Sequence, residues 1–159
     1  VELFEPYIEE SKRKGIHNRY IKADIREINF EPKSFNAVIA LEVIEHLTKE
    51  EGYQLIKKME KWARKKIIIS TPNGYLYQGD ADNNPLQKHK SGWSVKELEK
   101  LGFKVRGLNG FKPLRGYAAT IKYKPKLLWH LISDLTQIIT YHYPKFAFQL
   151  FAFKKIKDN

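Results

Sequence analysis

An apolar run, Val38 to Leu41, is followed at once by Glu42, Glu45 and His46. Three ionisable side chains are costly in a core unless paired or hydrogen-bonded, so they mark a point where the chain leaves the core. Other apolar runs end in a similar way: "VELF" at Glu5, "YIKA" at Asp24, and "IIIS" at Thr71, Pro72, Asn73 and Gly74. An acid at a strand end can hold a ribose through its two hydroxyls. A second acid on the next strand can accept from an adenine amino group. Two acids on successive strand ends therefore point to a nucleoside-containing ligand; the alternative for each is a carboxylate that offsets a helix N-terminus.

A metal site at Glu42, Glu45 and His46 is the rival reading. Zinc-binding helices need two histidines one turn apart or an equivalent ligand set. Only His46 is present in this stretch and the sequence offers it no obvious partner, so no metal is expected. His46 is then a ring hydrogen-bonded at a helix start or a wall of an acceptor pocket. The long polar segment 71–93 is the expected acceptor side, because extended irregular segments in small domains are usually functional or disordered. Asn73, Tyr75, Tyr77 and Trp93 would form its walls. His89 is the better candidate for a general base, which needs a pKa near the working pH and access to a substrate proton; the alternative is a solvated loop histidine.

These residues have to be positioned by regular elements. "VELF" and "RYIKADI" read as strands, "EPYIEESKRKG" as a helix closed by Gly15, and "FNAVIAL" and "KKIIIS" as buried parallel strands. Thr48 with Glu51 and Ser94 with Glu97 make capping boxes for helices over "TKEEGYQLIKKMEKWA" and "SVKELEKLG". "FKVRGLNG" and "KFAFQLFAFKKI" read as later strands. Alternation of strands and helices predicts an α/β fold with a parallel sheet. Ligands in such sheets sit beyond the carboxyl ends of the strands, where Glu42, Glu45 and His46 lie.

The blocks "FEPYIEESKRKG", "ADIREINFEPKSFNAVIALEVIEHL", "IIISTPNG" and "HKSGWSVKELEKLGFKV" resemble, in order and spacing, the class I S-adenosylmethionine-dependent methyltransferases, in particular the small-molecule group carrying "EVIEHL" and "TPNG". The resemblance covers residues 1 to 106 and implies a Rossmann-like, mostly parallel sheet with helices on both faces. It implies that Glu5 binds the cofactor ribose, that Pro6 and Tyr7 flank the adenine, and that Asp24 takes the adenine amino group with Ile25 packed on the ring. Ala40, Leu41 and Glu42 would run past the methionine part, and Glu45 and His46 would border the cleft. The family's glycine-rich loop and first strand would precede Val1. The expectation is therefore an N-terminally truncated domain with a gap in its sheet and two unpaired edges.

Composition bounds the rest. The chain has 159 residues, enough for one domain, 1–159, and no cysteine, which excludes disulfides and thiolate chemistry and suits a reducing, cytoplasmic location. No run approaches the length of a membrane span. From Phe103 onward eleven Lys and Arg face only Asp134 and Asp158, +9 of the total +11. Such asymmetry fits an anionic partner or simply a lysine-rich surface. Residues 125–143 read as an inserted amphipathic helix before the last strand, with Leu127, Leu128, Leu131, Ile132, Leu135, Ile138 and Ile139 on one stripe. Core packing or a homodimer face is the ordinary expectation for the stripe; peripheral membrane contact or a lipidic acceptor is the other. Nucleic acid is disfavoured, since no recognised motif accompanies the basic residues. The functional expectation is methyl transfer from S-adenosylmethionine to a small or lipid-like acceptor. The alternative is a non-catalytic basic module of the same fold that binds a membrane or a protein.

Overall fold

A computed structural model describes residues 1–79 and 83–157. Helix α1 spans Glu5–Lys14, with Glu5 in its first turn and Lys12, Arg13 and Lys14 in its last, an order of charge that complements the helix dipole. Gly15 closes it in the left-handed conformation (φ 61°). Strand β1 is Phe35–Leu41. After a short 3₁₀ turn at Ile44–His46 come α2, Lys49–Trp62, and β2, Ala63–Pro72. Then follow α3 (Val95–Lys100), β3 (Lys104–Phe111), α4 (Lys126–His142) and β4 (Ala147–Lys155). Both expected capping boxes form, at Thr48–Glu51 and Ser94–Glu97.

The sheet order is β1-β2-β4-β3. β1 pairs with β2 in parallel, and β4 pairs antiparallel with both β2 and β3. The sheet of the described residues is therefore mixed, with parallel pairing confined to β1 and β2. The expected strands "VELF" and "RYIKADI" reduce to one parallel bridge, Glu2 to Lys22, closed by Glu2 N–H to Ile21 O (3.0 Å) and Ala23 N–H to Glu2 O (3.1 Å). The direction of pairing is as expected but the length is not. A two-stranded ladder without further sheet neighbours is marginal, and a cleft separates this pair from β1.

The core lies where α2 and α3 meet the sheet. Leu55, Ile56, Met59 and Trp62 of α2 are buried with Ala40, Ile67 and Ile69, and Leu98 joins Val105, Leu150 and Ala152. Each such aliphatic side chain contributes about 1.5–3 kcal/mol by leaving water. Phe30 meets Trp62 and Phe35 edge-on, at 5.1 and 5.0 Å.

Helix α4 has the expected bounds but the opposite orientation to a core helix. Its buried residues are Ser133 and Thr140, while Leu127, Leu128, Leu131, Leu135, Ile138 and Ile139 are exposed, Leu127 to 76%. Core packing of the stripe is thus corrected. The reason lies in β3, the last strand of the sheet. Gln137 accepts from Gly110 N–H (2.9 Å) and donates to Gly107 O (2.9 Å), and Thr136 Oγ1 accepts from Phe111 N–H (2.9 Å). The polar face of α4 thereby satisfies the backbone groups along the outer edge of β3, which would otherwise need a strand or water.

Candidate functional site

The site is built from the carboxyl end of β1 and the chain that folds over it. Glu42, the first residue after β1, has φ +51°, a region that non-glycine residues rarely enter. Its carboxylate accepts from Ser70 Oγ (2.7 Å) and from Gln149 Nε2, which hold the turn. The following Ile44–Glu45 turn is tied to residues 90–93. Lys90 and Ser91 N–H donate to Glu45 O (2.8 and 3.0 Å), and Ser91 Oγ and Trp93 Nε1 donate to Ile44 O (both 3.2 Å). This clamp lays His89 against His46, with ring centroids 4.9 Å apart.

Two clefts flank these residues. The first, about 190 Å³, lies between the Glu2–Lys22 pair and β1 and is lined by Asp24, Ile25, Val38, Ala40, Glu42 and His46 among others. The second, about 320 Å³, is lined by Glu42, Glu45, His46, Leu76, Gln78 and His89 among others. Glu42, His46 and Gln87 line both, so they form a shared wall.

Of the residues expected at a cofactor, Asp24, Ile25 and Glu42 meet in the first cleft. Glu5, Pro6 and Leu41 are not part of its lining. Glu5 is exposed in the first turn of α1 and pairs with Lys22 (2.6 Å). That pairing, through the hydrogen bond to Lys22, holds its carboxyl below the usual range. Leu41 is exposed at the end of β1. Asp24 is held by Arg26, whose backbone N–H (2.8 Å) and guanidinium both donate to it, and Arg26 keeps the Asp24 carboxyl below its ordinary pKa. Ala40 lines this cleft too, so four of the eight residues expected at the cofactor come together there, and a ligand's amino group would have to compete with Arg26 for Asp24.

The acceptor-side expectations need correction. Tyr75 and Tyr77 are exposed, Tyr77 to 74%, and neither lines either cleft, although the Tyr75 hydroxyl reaches His89 O (3.5 Å). Their neighbours Leu76 and Gln78 line the second cleft instead. The residues between and after the two tyrosines, not the tyrosines themselves, therefore border the second cleft. Trp93 is fully buried and lies against Gly52, Tyr53 and Lys49; it supports the clamp and lines neither cleft. Asn73 Nδ2 donates to the carbonyls of Pro144, Lys145 and Ala147, which anchors the start of β4. His89 and His46 do come together. His89 is buried, not solvated. Burial, then the neighbouring His89 ring, holds His46 below the ordinary histidine pKa.

Glu45, expected to border the cleft, lines the second one, and it is buried there. It is 1% exposed, and neither carboxylate oxygen has a hydrogen-bond partner among the described residues. Thr71 and Glu42 lie near enough to act on it as weak hydrogen-bonding neighbours, but neither Glu45 oxygen nor Thr71 Oγ1 makes a bond of normal geometry. Burial, and then the Glu42 carboxylate, pushes the Glu45 pKa up to about 8. The signal in the sequence was the abrupt polarity change itself; the burial could not be read from it.

The family model for the methyltransferase domain matches residues 1–88. The chain belongs to the methyltransferase domain family. Its architecture is the class I, Rossmann-like α/β fold. A SAM-dependent methyltransferase from Archaeoglobus fulgidus shares that fold at 16% identity, with a TM-score of 0.50 over 95% of this chain and 81% of that one. The PH0226 protein from Pyrococcus horikoshii OT3 is 26% identical over 45% of this chain and 36% of its own length, with a TM-score of 0.40. Coclaurine N-methyltransferase, bound to N-methylheliamine and SAH, is 16% identical over 97% of this chain and 55% of its own, with a TM-score of 0.46. The methyltransferase domain described here therefore spans about a third of the length of the Pyrococcus protein and about half that of the coclaurine enzyme. No curated protein sequence matches the chain.

Proposed function

We propose that this methyltransferase domain transfers a methyl group from S-adenosylmethionine, held in the first cleft, to an acceptor in the second. The observation that carries this reading is that Glu42, His46 and Gln87 line both clefts, so the clefts adjoin at these residues and the sulfonium methyl and the acceptor atom would meet in line beside them. The sulfonium cofactor supplies an activated methyl group when bound. The protein's part is to hold the two ligands in line and exclude water. Asp24 would bind the adenine, Ile25 would pack on it, and Glu42 would face the methionine part. His89 and His46 line the acceptor cleft.

Calorimetric titration with S-adenosylhomocysteine tests this directly. Saturable one-site binding is expected, weakened at least tenfold, or about 1.4 kcal/mol, by Asp24→Ala and unaffected by Tyr77→Ala. Absence of binding, or binding indifferent to Asp24, would contradict the reading.

The exposed face of α4 favours a lipid-like acceptor met at a membrane surface. Six aliphatic side chains face solvent on a helix that starts at Lys126 and is preceded by Lys122 and Lys124, the composition of an interfacial helix. No described helix is long and apolar enough to cross a membrane. Co-sedimentation with phosphatidylglycerol vesicles is expected, with weaker binding to phosphatidylcholine. The Leu131→Glu, Leu135→Glu double variant should lose about 3 kcal/mol of binding, a hundredfold, from two buried leucines. A homodimer that the double variant dissolves, with no vesicle binding, would overturn this. Vesicle binding by a chain that ignores S-adenosylhomocysteine would instead favour the non-catalytic module.

A further inference from the structure

We propose that Glu45, His46 and His89 form a binding site for one divalent transition-metal cation. One ligating atom from each residue lies within 4.8 Å of the other two, close enough for a single ion to be shared after small rotations of the side chains. The expectation of no metal rested on the absence of a second histidine near His46. The fold supplies it from 43 positions away, through the clamp that Ser91 and Trp93 make on Ile44.

Three observations select a cation over a plain structural cluster. First, Glu45 is almost wholly buried with both oxygens unpartnered, although buried polar groups are nearly always satisfied. An ion at this point satisfies them. Second, the two imidazoles are oriented as ligands are. His89 Nδ1 lies 2.6 Å from Leu76 O and His46 Nδ1 3.3 Å from Lys88 O. A carbonyl only accepts, so each Nδ1 carries the proton and each Nε2 keeps its lone pair free. Backbone carbonyls that fix the distal ring nitrogen are the usual second shell of a metal-bound histidine. Third, two neutral imidazoles edge to edge gain little from one another, whereas a cation between them is attracted by both nitrogen lone pairs and by the adjacent Glu42 carboxylate.

The donor set also narrows the ion. Two imidazole nitrogens and one carboxylate suit Zn²⁺, Mn²⁺, Fe²⁺, Co²⁺ or Ni²⁺ over Ca²⁺ or Mg²⁺, which prefer oxygen. Three protein ligands leave coordination positions open, and these face the second cleft, which all three residues line. Water or an oxygen of a cleft ligand would fill them. The site stands on these residues and does not depend on methyl transfer.

The test uses the full chain, stripped with EDTA and dialysed, titrated with Zn²⁺ alone by calorimetry and with Co²⁺ alone by visible absorption. One ion per chain is expected, with the intense absorption of four- or five-coordinate Co²⁺. Glu45→Gln and His46→Gln should each weaken binding at least tenfold. His142→Gln, far along the sequence in α4, should leave it unchanged. Circular dichroism of each variant separates loss of the site from loss of the fold, and His46, the less buried of the two rings, is the safer substitution. Binding that survives both His46→Gln and Glu45→Gln in folded protein, or that His142→Gln removes, would overturn the proposal, as would no saturable binding by the unaltered chain. Because S-adenosylhomocysteine binding is read separately, failure here leaves the reading of the first cleft intact.

Discussion

Replacing Gly107 with alanine is expected to lower stability by about 3 kcal/mol, the upper end of overpacking effects, and to free α4 from the sheet. A Cβ at this position would lie 2.1 Å from Thr140 O and 2.5 Å from Ala147 Cβ. The first of these is helix backbone, which cannot rotate aside as a side chain can. α4 approaches β3 this closely because Gly107 and Gly110 carry no side chains there; a Cβ at Gly110 would likewise meet Ser133 O at 2.3 Å. Moving α4 outward would stretch the Gln137 and Thr136 bonds to the strand, leaving backbone groups unpaired, so the two losses come together. Urea denaturation gives the stability change, and a drop in Tm of about 6–12 °C is its thermal equivalent for a chain of this size. Limited proteolysis should open first between residues 112 and 146. A variant less than about 1 kcal/mol below the parent, with α4 still protected, would show that the helix tolerates displacement.

Trp93→Ala is expected to cost about 3–5 kcal/mol, as for other large aromatic truncations in cores, and to abolish Zn²⁺ binding as well. The indole is fully buried. It lies so close to α2 that a Cβ on Gly52 would sit 2.5 Å from its ring, and Lys49 Nζ stands 4.0 Å from the ring centroid. Its Nε1–H donates to both Ile44 O and Ser91 Oγ, so the same side chain fills the core and pins residues 89–93 onto the Ile44–Glu45 turn. Trp93→Phe separates the two roles. It keeps most of the volume and loses the donor, and Ile44 O retains Ser91 Oγ, so a cost of about 1 kcal/mol is expected. Urea unfolding and Zn²⁺ titration of both variants are the measurements. Equal losses in the two would mean that the hydrogen bonds, not the packing, hold the clamp.

Much of the fold was readable because its signals are local. The Thr48–Glu51 and Ser94–Glu97 boxes announce α2 and α3 within four residues, and the bounds of α4 follow from periodicity between Pro125 and Pro144. What was hidden depends on contacts far apart in sequence. Whether "VELF" extends into a strand is decided by its neighbours, and the described residues give it only one bridged pair. That Leu76 and Gln78, and not Tyr75 and Tyr77, line the second cleft depends on how this segment folds back over the site, which composition cannot set. His46 and His89 meet only because Trp93 folds back on Ile44. The outward turn of α4 did leave a trace. Ser133, Thr136, Gln137 and Thr140 recur at helical spacing opposite the leucines, and Gly107 and Gly110 interrupt a strand, a mark of close backbone approach.

The cover that α4 gives to β3 also limits how these sheets can associate. One margin of the sheet is closed by Gln137 and Thr136, while β1, at the other margin, hydrogen-bonds only to β2 among the named strands. A fibre grown by strand addition needs two open margins on every copy, one to receive and one to offer. With the β3 margin covered, no copy can both receive and offer a strand, whatever pairs with β1, and addition cannot propagate. The polar side of one helix therefore acts as a chain terminator for the sheet, and partial unfolding that lifts α4 would be the step that restores unlimited growth.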